Sequence, residues 1–290
     1  MTPIRTPDPA SAVAVLYSGG TDSSVVAAQM AQQFGAVHLV TYSRHGIFGV
    51  DRSIRNYQRL RRLVGPDRFT HVILPVERLF RELAYDRYLA NLRRHGLFML
   101  STCGLCKLAM HLRTIVYCKE AGIGHVRDGA NRHMSIFPAQ MPSVIAMLKA
   151  LYAEQGIDYD NPVFEYDDPQ GINFGSQLYG LSPAREGAIT GRTTGQELFA
   201  LGITAEPDVK GKPEDKQMQA RCYQMVLFNI FARWNYLPRH SMDEYVQRTD
   251  ALFADKIGHC RALLEELDTA GDRSRLHRLV RDEPQTRGSS

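Results

Sequence analysis

The segment Ser18-Gly19-Gly20-Thr21-Asp22-Ser23 constrains the fold of this chain more than any other feature. It follows the apolar run 12–17 and precedes the apolar run 25–28, a pattern that predicts a buried strand, a glycine turn and a helix start. Backbone N–H groups at a helix start lack partners within the helix and attract anions. Because glycine accepts backbone angles that other residues avoid, anion oxygens can approach the main chain closely. The segment 18–23, here called the phosphate loop, therefore predicts a phosphate site.

The side chains of the phosphate loop indicate which kind of phosphate site it forms. Ser18, Thr21 and Ser23 add hydroxyls, and Asp22 is a candidate Mg²⁺ ligand or helix cap. The loop is neither a Walker A sequence nor the dinucleotide pattern G-x-G-x-x-G. It resembles the SGGxDS signature of the PP-loop ATP pyrophosphatases. That resemblance implies that residues 18–23 bind ATP, which is cleaved to AMP and pyrophosphate, usually by adenylation of a carbonyl oxygen or a carboxylate.

The composition is that of a globular protein. The chain has 290 residues, of which 44% are hydrophobic and 23% are charged, and its net charge is +4. This charge permits a nucleic-acid partner without requiring one. No apolar run approaches the roughly 18 residues of a membrane span, and residues 1–9 have no apolar signal-peptide core. We therefore expect a cytoplasmic protein with no membrane partner.

Apolar runs alternate with amphipathic stretches through the first half of the chain. The predicted strands are 12–17, 37–42, 69–76 and 124–127, and the predicted helices are 23–34, 51–64, 77–92 and 105–121. This alternation predicts β-α-β units and a parallel sheet. Ligands bind beyond the carboxyl ends of such strands, which places 18–23, 42–45 and 128–131 along one edge. Further helices are predicted at 214–235 and 241–268.

The expected fold class is α/β, with a Rossmann-like parallel sheet. The PP-loop resemblance implies an adenine nucleotide α-hydrolase-like domain, expected over 12–180, with a helical C-terminal region over 181–280. Residues 1–11 and 281–290 are expected to be loose tails. A candidate homodimer surface in the C-terminal third comprises Phe228, Phe231, Trp234 and Tyr236.

Five cysteines in a chain without an export signal argue against a disulfide framework. Cys103 and Cys106 form a C-x-x-C pair at a predicted helix start, which is typical of a metal, cluster or redox site. The helix N-terminus and Lys107 would favour their thiolate forms. Cys118 and Cys260 fit apolar stripes and are predicted to be core residues.

Cys222 stands among arginine and glutamine residues, near a predicted helix start, and is either a core residue or a ligand. The order of Cys103, Cys106 and Cys222 after the phosphate loop is similar to that of the iron–sulfur-dependent tRNA 2-thiolation enzymes, a branch of the PP-loop group. The resemblance implies that these three cysteines hold a [4Fe–4S] cluster with one iron open for sulfur. In a variant of this chemistry, Cys103 or Cys106 carries the sulfur as a persulfide.

The end of the fourth predicted strand, Gly124 to Asn131, can be aligned in two ways. It resembles the Gly-His-x-x-Asp-Asp motif of the tRNA thiolases, although the second Asp is missing. Asp128-Gly129-Ala130-Asn131 also resembles the Asp-Gly-Thr/Ser-Asn motif of the sulfur-inserting PP-loop enzymes that build the lactate racemase cofactor. This second alignment is preferred because it places Asp128 just past the strand. Either alignment implies that Asp128 lies near ATP, as a Mg²⁺ ligand or a base.

Further residues are expected to contact the nucleotide. Tyr42 and Ser43 follow the second predicted strand and are predicted to line the adenine pocket, and the preferred alignment adds Gly129 and Asn131. The candidates for phosphate contacts are Lys107, Arg127 and Arg192.

These features predict an ATP-dependent sulfurtransferase that adenylates a substrate carbonyl oxygen and replaces it with sulfur, releasing AMP and pyrophosphate. ATP, Mg²⁺ and a [4Fe–4S] cluster are the implied cofactors. The implied substrate is a nucleobase-type small molecule or tRNA, and the donor is sulfide or a cysteine desulfurase system. One alternative is an amide- or nitrile-forming PP-loop ligase with nitrogen as nucleophile. Another is a non-catalytic nucleotide- or RNA-binding regulator.

Overall fold

A computed structural model describes residues 11–96, 98, 103–167, 192–207, 209 and 217–281. Its strands are β1 (Ala12–Leu16), β2 (Ala36–Ser43), β3 (Ile47–Phe48), β4 (Phe69–Pro75), β5 (His125–Asp128), β6 (Asp158–Asp160) and β7 (Arg221–Cys222). Five of these described strands form a parallel sheet in the order β4-β2-β1-β5-β6. The other two, β3 and β7, pair in an antiparallel ribbon.

Helices cover both faces of the sheet. They are α1 (Thr21–Gln33), α2 (Arg52–Val64), α3 (Glu77–Ala84), α4 (Tyr88–His95), α5 (Cys103–Ala121), α6 (Pro142–Glu154), α7 (Thr194–Ala200), α8 (Gln224–Phe228), α9 (Met242–Ala270) and α10 (Arg275–Arg281). A π-helix, Asn229–Tyr236, continues α8, and 3₁₀ turns span Arg132–Met134, Pro138–Gln140 and Gly271–Arg273. Among the helices of the described residues, none is both long enough and apolar enough to pass through a lipid bilayer.

The apolar strands explain why the sheet is buried on both faces. Successive side chains of a strand point to opposite sides. In β1, Val13 and Val15 join one hydrophobic cluster, whereas Ala14 and Leu16 join another. The first cluster lies under α1, α2 and α7, and the second lies under α3, α5, α6 and the C-terminal helices. Uniformly apolar strands of this kind are typical of parallel sheets.

The strand order confirms the predicted Rossmann-like sheet. From β1, the chain first builds β2 and β4 on one side, and then crosses to build β5 and β6 on the other. Such a reversal leaves a crevice above the carboxyl ends of the two central strands. The phosphate loop follows β1, and Gly129 follows β5, so both lie at this crevice.

Two predicted helices are wrong. The helix expected over 77–92 is broken at residues 85–87, where the N–H groups of Tyr85 and Asp86 both bond to the carbonyl of Arg81 and close α3. Within the helix expected over 214–235, residues 217–218 are helical, but residues 221–222 instead form β7, and a separate helix begins at Gln224. Backbone pairing with β3 overrides the helical pattern there. Residues 214–216, like the expected boundary at 180 and most of both tails, lie outside the described residues.

The members of the candidate dimer surface differ in their exposure to solvent. Phe228 is buried, and its ring centroid lies 4.8 Å from that of Phe137, so it belongs to the core. Trp234 is 65% exposed. Phe228 therefore does not share an exposed surface with Trp234.

Burial predicts which leucines stabilise this fold. Leu39 in β2 is completely buried, whereas Leu89 in α4 is 71% exposed. We expect Leu39→Ala to lower the free energy of unfolding by about 2–5 kcal/mol, because it leaves a cavity in the core. Leu89→Ala should change it by less than about 0.5 kcal/mol. Urea denaturation of both variants tests this, and equal losses would contradict the assigned core.

Candidate active site

Hydrogen bonds within the phosphate loop give it a fixed shape. Gly19 has φ +82°, a conformation that favours glycine. The Oγ of Ser18 accepts from the N–H of Gly20 at 3.3 Å, and it lies 3.2 Å from the Oγ of Ser23. The Oγ of Ser23 also lies 3.2 Å from the carbonyl oxygen of Gly20, to which it can donate. The loop therefore turns directly into α1, whose N-terminus faces the crevice.

Helix α2 and the segment before β7 hold the phosphate loop from outside. The side-chain amide of Asn56 donates to the carbonyls of Gly19 at 2.7 Å and Met218 at 3.0 Å. A Cβ on Gly19 would lie only 2.7 Å from the carbonyl oxygen of Met218. Both the backbone angle and the lack of space therefore require glycine at position 19.

Gly129 lies against the phosphate loop from the other side. A Cβ at this position would lie 2.8 Å from the backbone nitrogen of Ser23 and 3.0 Å from the carbonyl carbon of Asp22. Parallel pairing of Leu16 with Asp128 sets this approach. The ends of β1 and β5 can come this close only because residue 129 has no side chain.

A cavity of about 330 Å³ fills the crevice, within the size range of small-molecule sites. The predicted site residues among its lining are Ser18, Gly20, Thr21, Asp22, Ser23, Tyr42, Asp128, Gly129 and Cys222. The remaining lining residues are Leu16, Tyr17, Thr41, Ile47, Lys107, Met110, Met134, Gln140, Gln219 and Ala220. The strand-end rule thus brings residues from β1, β2 and β5 together as predicted.

Three predicted nucleotide residues, Gly19, Ser43 and Asn131, do not belong to the described lining of this cavity. Ser43 is buried at the end of β2. Asn131 is also buried, and its Oδ1 accepts from the N–H of His133, which caps a 3₁₀ turn. Its own N–H donates to the side chain of Gln140 at 2.9 Å, so Asn131 positions a residue that does line the cavity.

The three cations proposed for phosphate contacts have different surroundings. Lys107 lines the cavity. Arg127 instead binds the side chain of Asp158 at 2.6 Å, and Arg192 lies 3.6 Å from Glu197. Neither arginine belongs to the described lining of the cavity.

Asp22 is oriented by a helix that the sequence did not connect with it. The hydroxyl of Thr194, the first residue of α7, donates to Asp22 Oδ1 at 2.7 Å. Thr193 begins this helix with a capping box, which fixes the position of Thr194. The carboxylate of Asp22 is therefore held at the cavity wall, where a Mg²⁺ ligand is predicted.

Asp128 forms a buried ion pair. Lys107 Nζ lies 2.9 Å from Oδ1 and 2.7 Å from Oδ2, and the hydroxyl of Tyr159 donates to Oδ2 at 3.2 Å. Burial, the largest single effect, would raise the pKa of Asp128, but the charge and hydrogen bond of Lys107, nearby His111 and the hydroxyl of Tyr159 together outweigh it and lower that pKa below its usual range. Asp128 is thus an ionised carboxylate whose first partner is Lys107.

His111 lies beneath this ion pair, on α5. It is completely buried, its Nδ1 lies 3.1 Å from the hydroxyl of Tyr152, and its Nε2 lies 3.8 Å from Asp128 Oδ2. Burial lowers the pKa of His111 to about 3, so the imidazole is neutral at physiological pH.

Cys106 and Cys222 share one cation, Arg44. Arg44 Nε donates to Cys106 Sγ at 2.8 Å, and Nη2 donates to Cys222 Sγ at 3.3 Å. The residues belong to α5, to β7 and to the chain just after β2, and the sequence analysis did not single out Arg44. Its position directly after a strand, at the carboxyl edge of the sheet, is the signal that could have identified it.

Burial opposes the thiolate form that the sequence predicts for Cys106. Burial raises the pKa of this thiol to about 11, although Arg44 opposes the shift. The ammonium group of Lys107 binds Asp128. Cys103 begins α5, but its side chain lies outside the described part of the structure.

The short β3–β7 ribbon brings Cys222 to the cavity. Ile47 pairs with Cys222, and the N–H of Tyr223 donates to the carbonyl of Gly46 at 3.0 Å. By contrast, Cys118 and Cys260 are buried in the hydrophobic core, as predicted.

Gly104, within the C-x-x-C turn, leaves space for side chains that pack against it. A Cβ on Gly104 would lie 2.5 Å from the ring of Phe253 on α9 and 2.8 Å from Pro138. This packing attaches the C-terminal helices directly to the turn between Cys103 and Cys106.

The described side chains provide two of the three cysteines that are predicted to hold an iron–sulfur cluster. Cysteine thiolates are the usual ligands of [4Fe–4S] clusters, and thiols of Cys106 and Cys222 meet at one guanidinium. A positive charge at that point suits a group with net negative charge. Among the described side chains, no three His, Cys, Asp or Glu groups converge on one point.

Comparisons with known proteins identify structural neighbours only. No protein-family model and no curated protein matches the chain. A predicted tRNA methyltransferase subunit of Methanocaldococcus jannaschii is 18% identical, with a TM-score of 0.39, over 73% of this chain and 96% of that one. The NMN synthetase of Francisella tularensis is 12% identical, with a TM-score of 0.35, over 87% of each chain.

A third neighbour is the U34-tRNA thiolase NcsA of Methanococcus maripaludis, solved with its [4Fe–4S] cluster. It is 11% identical, with a TM-score of 0.35, over 90% of this chain and 73% of that one. Identities and TM-scores this low carry no conclusion about what this chain binds or does.

The contact at Gly129 predicts a specific loss of nucleotide binding. Gly129→Ala forces a methyl group onto the phosphate loop, and we expect roughly five- to 150-fold weaker ATP binding from a distortion that costs roughly 1–3 kcal/mol. Gly124→Ala is the matched control, because a Cβ there meets nothing within 4 Å. Titration calorimetry with Mg-ATP compares the two, and equal affinities would refute the proposed approach of the strands.

Buried His111 predicts acid sensitivity. The unfolded chain binds a proton below the ordinary pKa of 6.5, whereas the folded chain binds it only near pH 3. The free energy of unfolding should therefore fall as the pH drops from 6.5 toward 3, by up to roughly 1.4 kcal/mol per pH unit. His111→Gln should show a shallower fall in urea denaturation at pH 7, 6 and 5, whereas His45→Gln, whose side chain is 80% exposed, should keep the wild-type slope.

Proposed function

We propose that this protein is an ATP-dependent sulfurtransferase of the PP-loop type. It adenylates a carbonyl oxygen of its substrate, replaces that oxygen with sulfur, and releases AMP and pyrophosphate. The proposed substrate is a nucleobase, either free or within tRNA, and the sulfur donor is sulfide or a cysteine desulfurase system.

One observation carries the proposal: a single cavity is lined both by the phosphate loop and by Cys222. Arg44 connects Cys222 with Cys106, which does not belong to the described lining of the cavity. A site that only cleaved ATP would have no use for a thiol in the lining of its cavity. The common position of the phosphate loop and Cys222 favours a reaction in which an activated carbonyl carbon meets sulfur.

The chain's own residues account for the activation step. The N-terminus of α1 and the phosphate loop hold the β- and γ-phosphates through backbone N–H groups, while Asp22 holds Mg²⁺. The substrate carbonyl oxygen attacks the α-phosphorus, and pyrophosphate leaves. Tyr42, Thr41 and Met110 form an apolar wall suited to a planar ring. Lys107 is held by Asp128, lines the cavity and is the cation proposed to contact phosphate.

The second step replaces oxygen by sulfur. Hydrosulfide attacks the adenylated carbon, the carbon–oxygen bond breaks, and AMP leaves with the former carbonyl oxygen, while a proton passes to solvent. Cys103, Cys106 and Cys222 would hold a [4Fe–4S] cluster, which when bound supplies an iron position for sulfide. Arg44 and Cys222 orient the sulfur side of the cavity toward the loop.

A direct assay tests the proposal. Anaerobically purified protein is incubated with Mg-ATP, sulfide and either bulk tRNA or free nucleobases, and AMP, pyrophosphate and the sulfur content of the product are measured. We expect AMP release coupled to a thiocarbonyl product. Release that depends on ammonia or glutamine instead of sulfide would establish the nitrogen ligase, and no release with any substrate would favour a non-catalytic regulator.

Substitution of Cys222 tests adenylation and sulfur insertion separately. We expect Cys222→Ala to abolish sulfur insertion while pyrophosphate exchange into ATP, which reports adenylation, keeps at least about a third of the wild-type rate. Cys118→Ala is the matched control, since Cys118 is a buried thiol outside the cavity lining. Full sulfur insertion by Cys222→Ala would remove this cysteine from the reaction.

A further inference from the structure

A second cavity, of about 450 Å³, lies between α4 and α9, and none of its described lining residues belongs to the first cavity. Most of its lining residues carry ionisable side chains. The acidic ones are Glu82 and Asp255, and the basic ones are Arg87, Arg94, Lys256 and His259. The balance of these charges indicates what the cavity can bind.

Both carboxylates of this second cavity already have a cation. Glu82 binds the guanidinium of Arg275 through Oε2. Arg94 binds Oδ1 of Asp255, and His95 Nε2 lies 3.1 Å from the other oxygen, Oδ2. Neither carboxylate therefore has a whole negative charge left to compensate a further cation.

The ammonium group of Lys256 is buried with a single hydrogen-bond acceptor among the described residues. Lys256 is 5% exposed, and its Nζ donates to the neutral Oδ1 of Asn91 at 2.6 Å. Asp255 Oδ2 lies 3.9 Å from Nζ, which is beyond hydrogen-bond distance. An ammonium group has three N–H donors. Because a buried charge is unfavourable unless it is paired and hydrogen-bonded, the remaining donors favour an anion in the cavity.

Arg87 brings a further positive charge to the same cavity. Its guanidinium has no hydrogen bond or ion pair with any residue that the structure describes. Burial lowers the pKa of Lys256 below its ordinary value, although Asp255 opposes the shift. The positive charges of Arg87 and Arg94 lower it further. These cations therefore repel the ammonium group, and a bound anion would offset that repulsion.

We propose that this cavity binds a phosphate group through the ammonium of Lys256 and the guanidinium of Arg87. With the histidines neutral, three basic lining residues and Arg275 face two carboxylates, which leaves two positive charges in excess. This excess matches the charge of about −2 that a phosphate group carries near neutral pH. Guanidinium and ammonium groups are the usual side-chain partners of phosphate oxygens. The proposal does not depend on the sulfurtransferase activity, because the two cavities have separate linings.

Phosphate titrations test this site. Wild type, Lys256→Gln, Arg87→Met and the control Arg93→Met are titrated by calorimetry with inorganic phosphate and with glycerol phosphate at constant ionic strength, and circular dichroism checks folding. Arg93 is an exposed arginine of α4 outside the described lining. We expect Lys256→Gln to weaken binding at least about tenfold and Arg87→Met about threefold, because a buried charge contributes more than an exposed one.

The phosphate loop can also bind phosphate, so Gly129→Ala is titrated to separate the two cavities. Binding that remains in Gly129→Ala but weakens in Lys256→Gln and Arg87→Met supports the site. Tighter binding of glycerol phosphate then identifies a phosphomonoester as the ligand, and equal or tighter binding of inorganic phosphate identifies the free anion.

Three results would overturn the proposal. One is an affinity of folded Lys256→Gln or Arg87→Met equal to that of Arg93→Met, and Arg87→Met alone decides if Lys256→Gln does not fold. The others are loss of all phosphate binding in Gly129→Ala and a wild-type protein that binds neither ligand. The proposed function is judged separately, by AMP release and sulfur in the product.

Discussion

The close approach of β5 to the phosphate loop is the contact on which the rest of the site depends. Gly129 lies against the backbone of Ser23, and Asp128 immediately before it is fixed by the register with Leu16. That register sets the position of the carboxylate which anchors Lys107. A side chain at 129 would push the two strand ends apart. This would displace the phosphate loop and disturb the ion pair between Lys107 and Asp128.

Buried polar groups around the cavity follow one electrostatic pattern. The negative charge of Asp128 is compensated by Lys107, whereas the imidazole of His111 stays neutral below them. Arg44, which is buried and does not belong to the described lining, donates hydrogen bonds to two thiols, of which Cys222 lines the cavity. Each buried charge around the cavity therefore has polar partners of its own.

Local patterns in the sequence account for much of the fold and for part of the site. Apolar runs that alternate with amphipathic stretches predicted β1, β2, β4 and β5. Since the carboxyl ends of parallel strands meet at one edge of the sheet, the phosphate loop, Tyr42 and Asp128 were expected together there. The pattern could not predict β7, because two residues carry no periodicity and their structure comes from pairing with β3. Nor could it connect Thr194 with Asp22 or Arg44 with Cys222, since those contacts depend on how distant segments pack.

The two-residue ribbon also has a consequence for the order in which the molecule assembles. The contact between Gly129 and the phosphate loop involves β1, α1 and β5, which are complete when residue 129 has been reached. Arg44 and Cys222, in contrast, meet across 178 positions of sequence. Closing so long a segment costs chain entropy and is slow relative to local pairing. During synthesis on the ribosome, the contact between Gly129 and the phosphate loop can therefore form before the strand that bears Cys222 has left the exit tunnel.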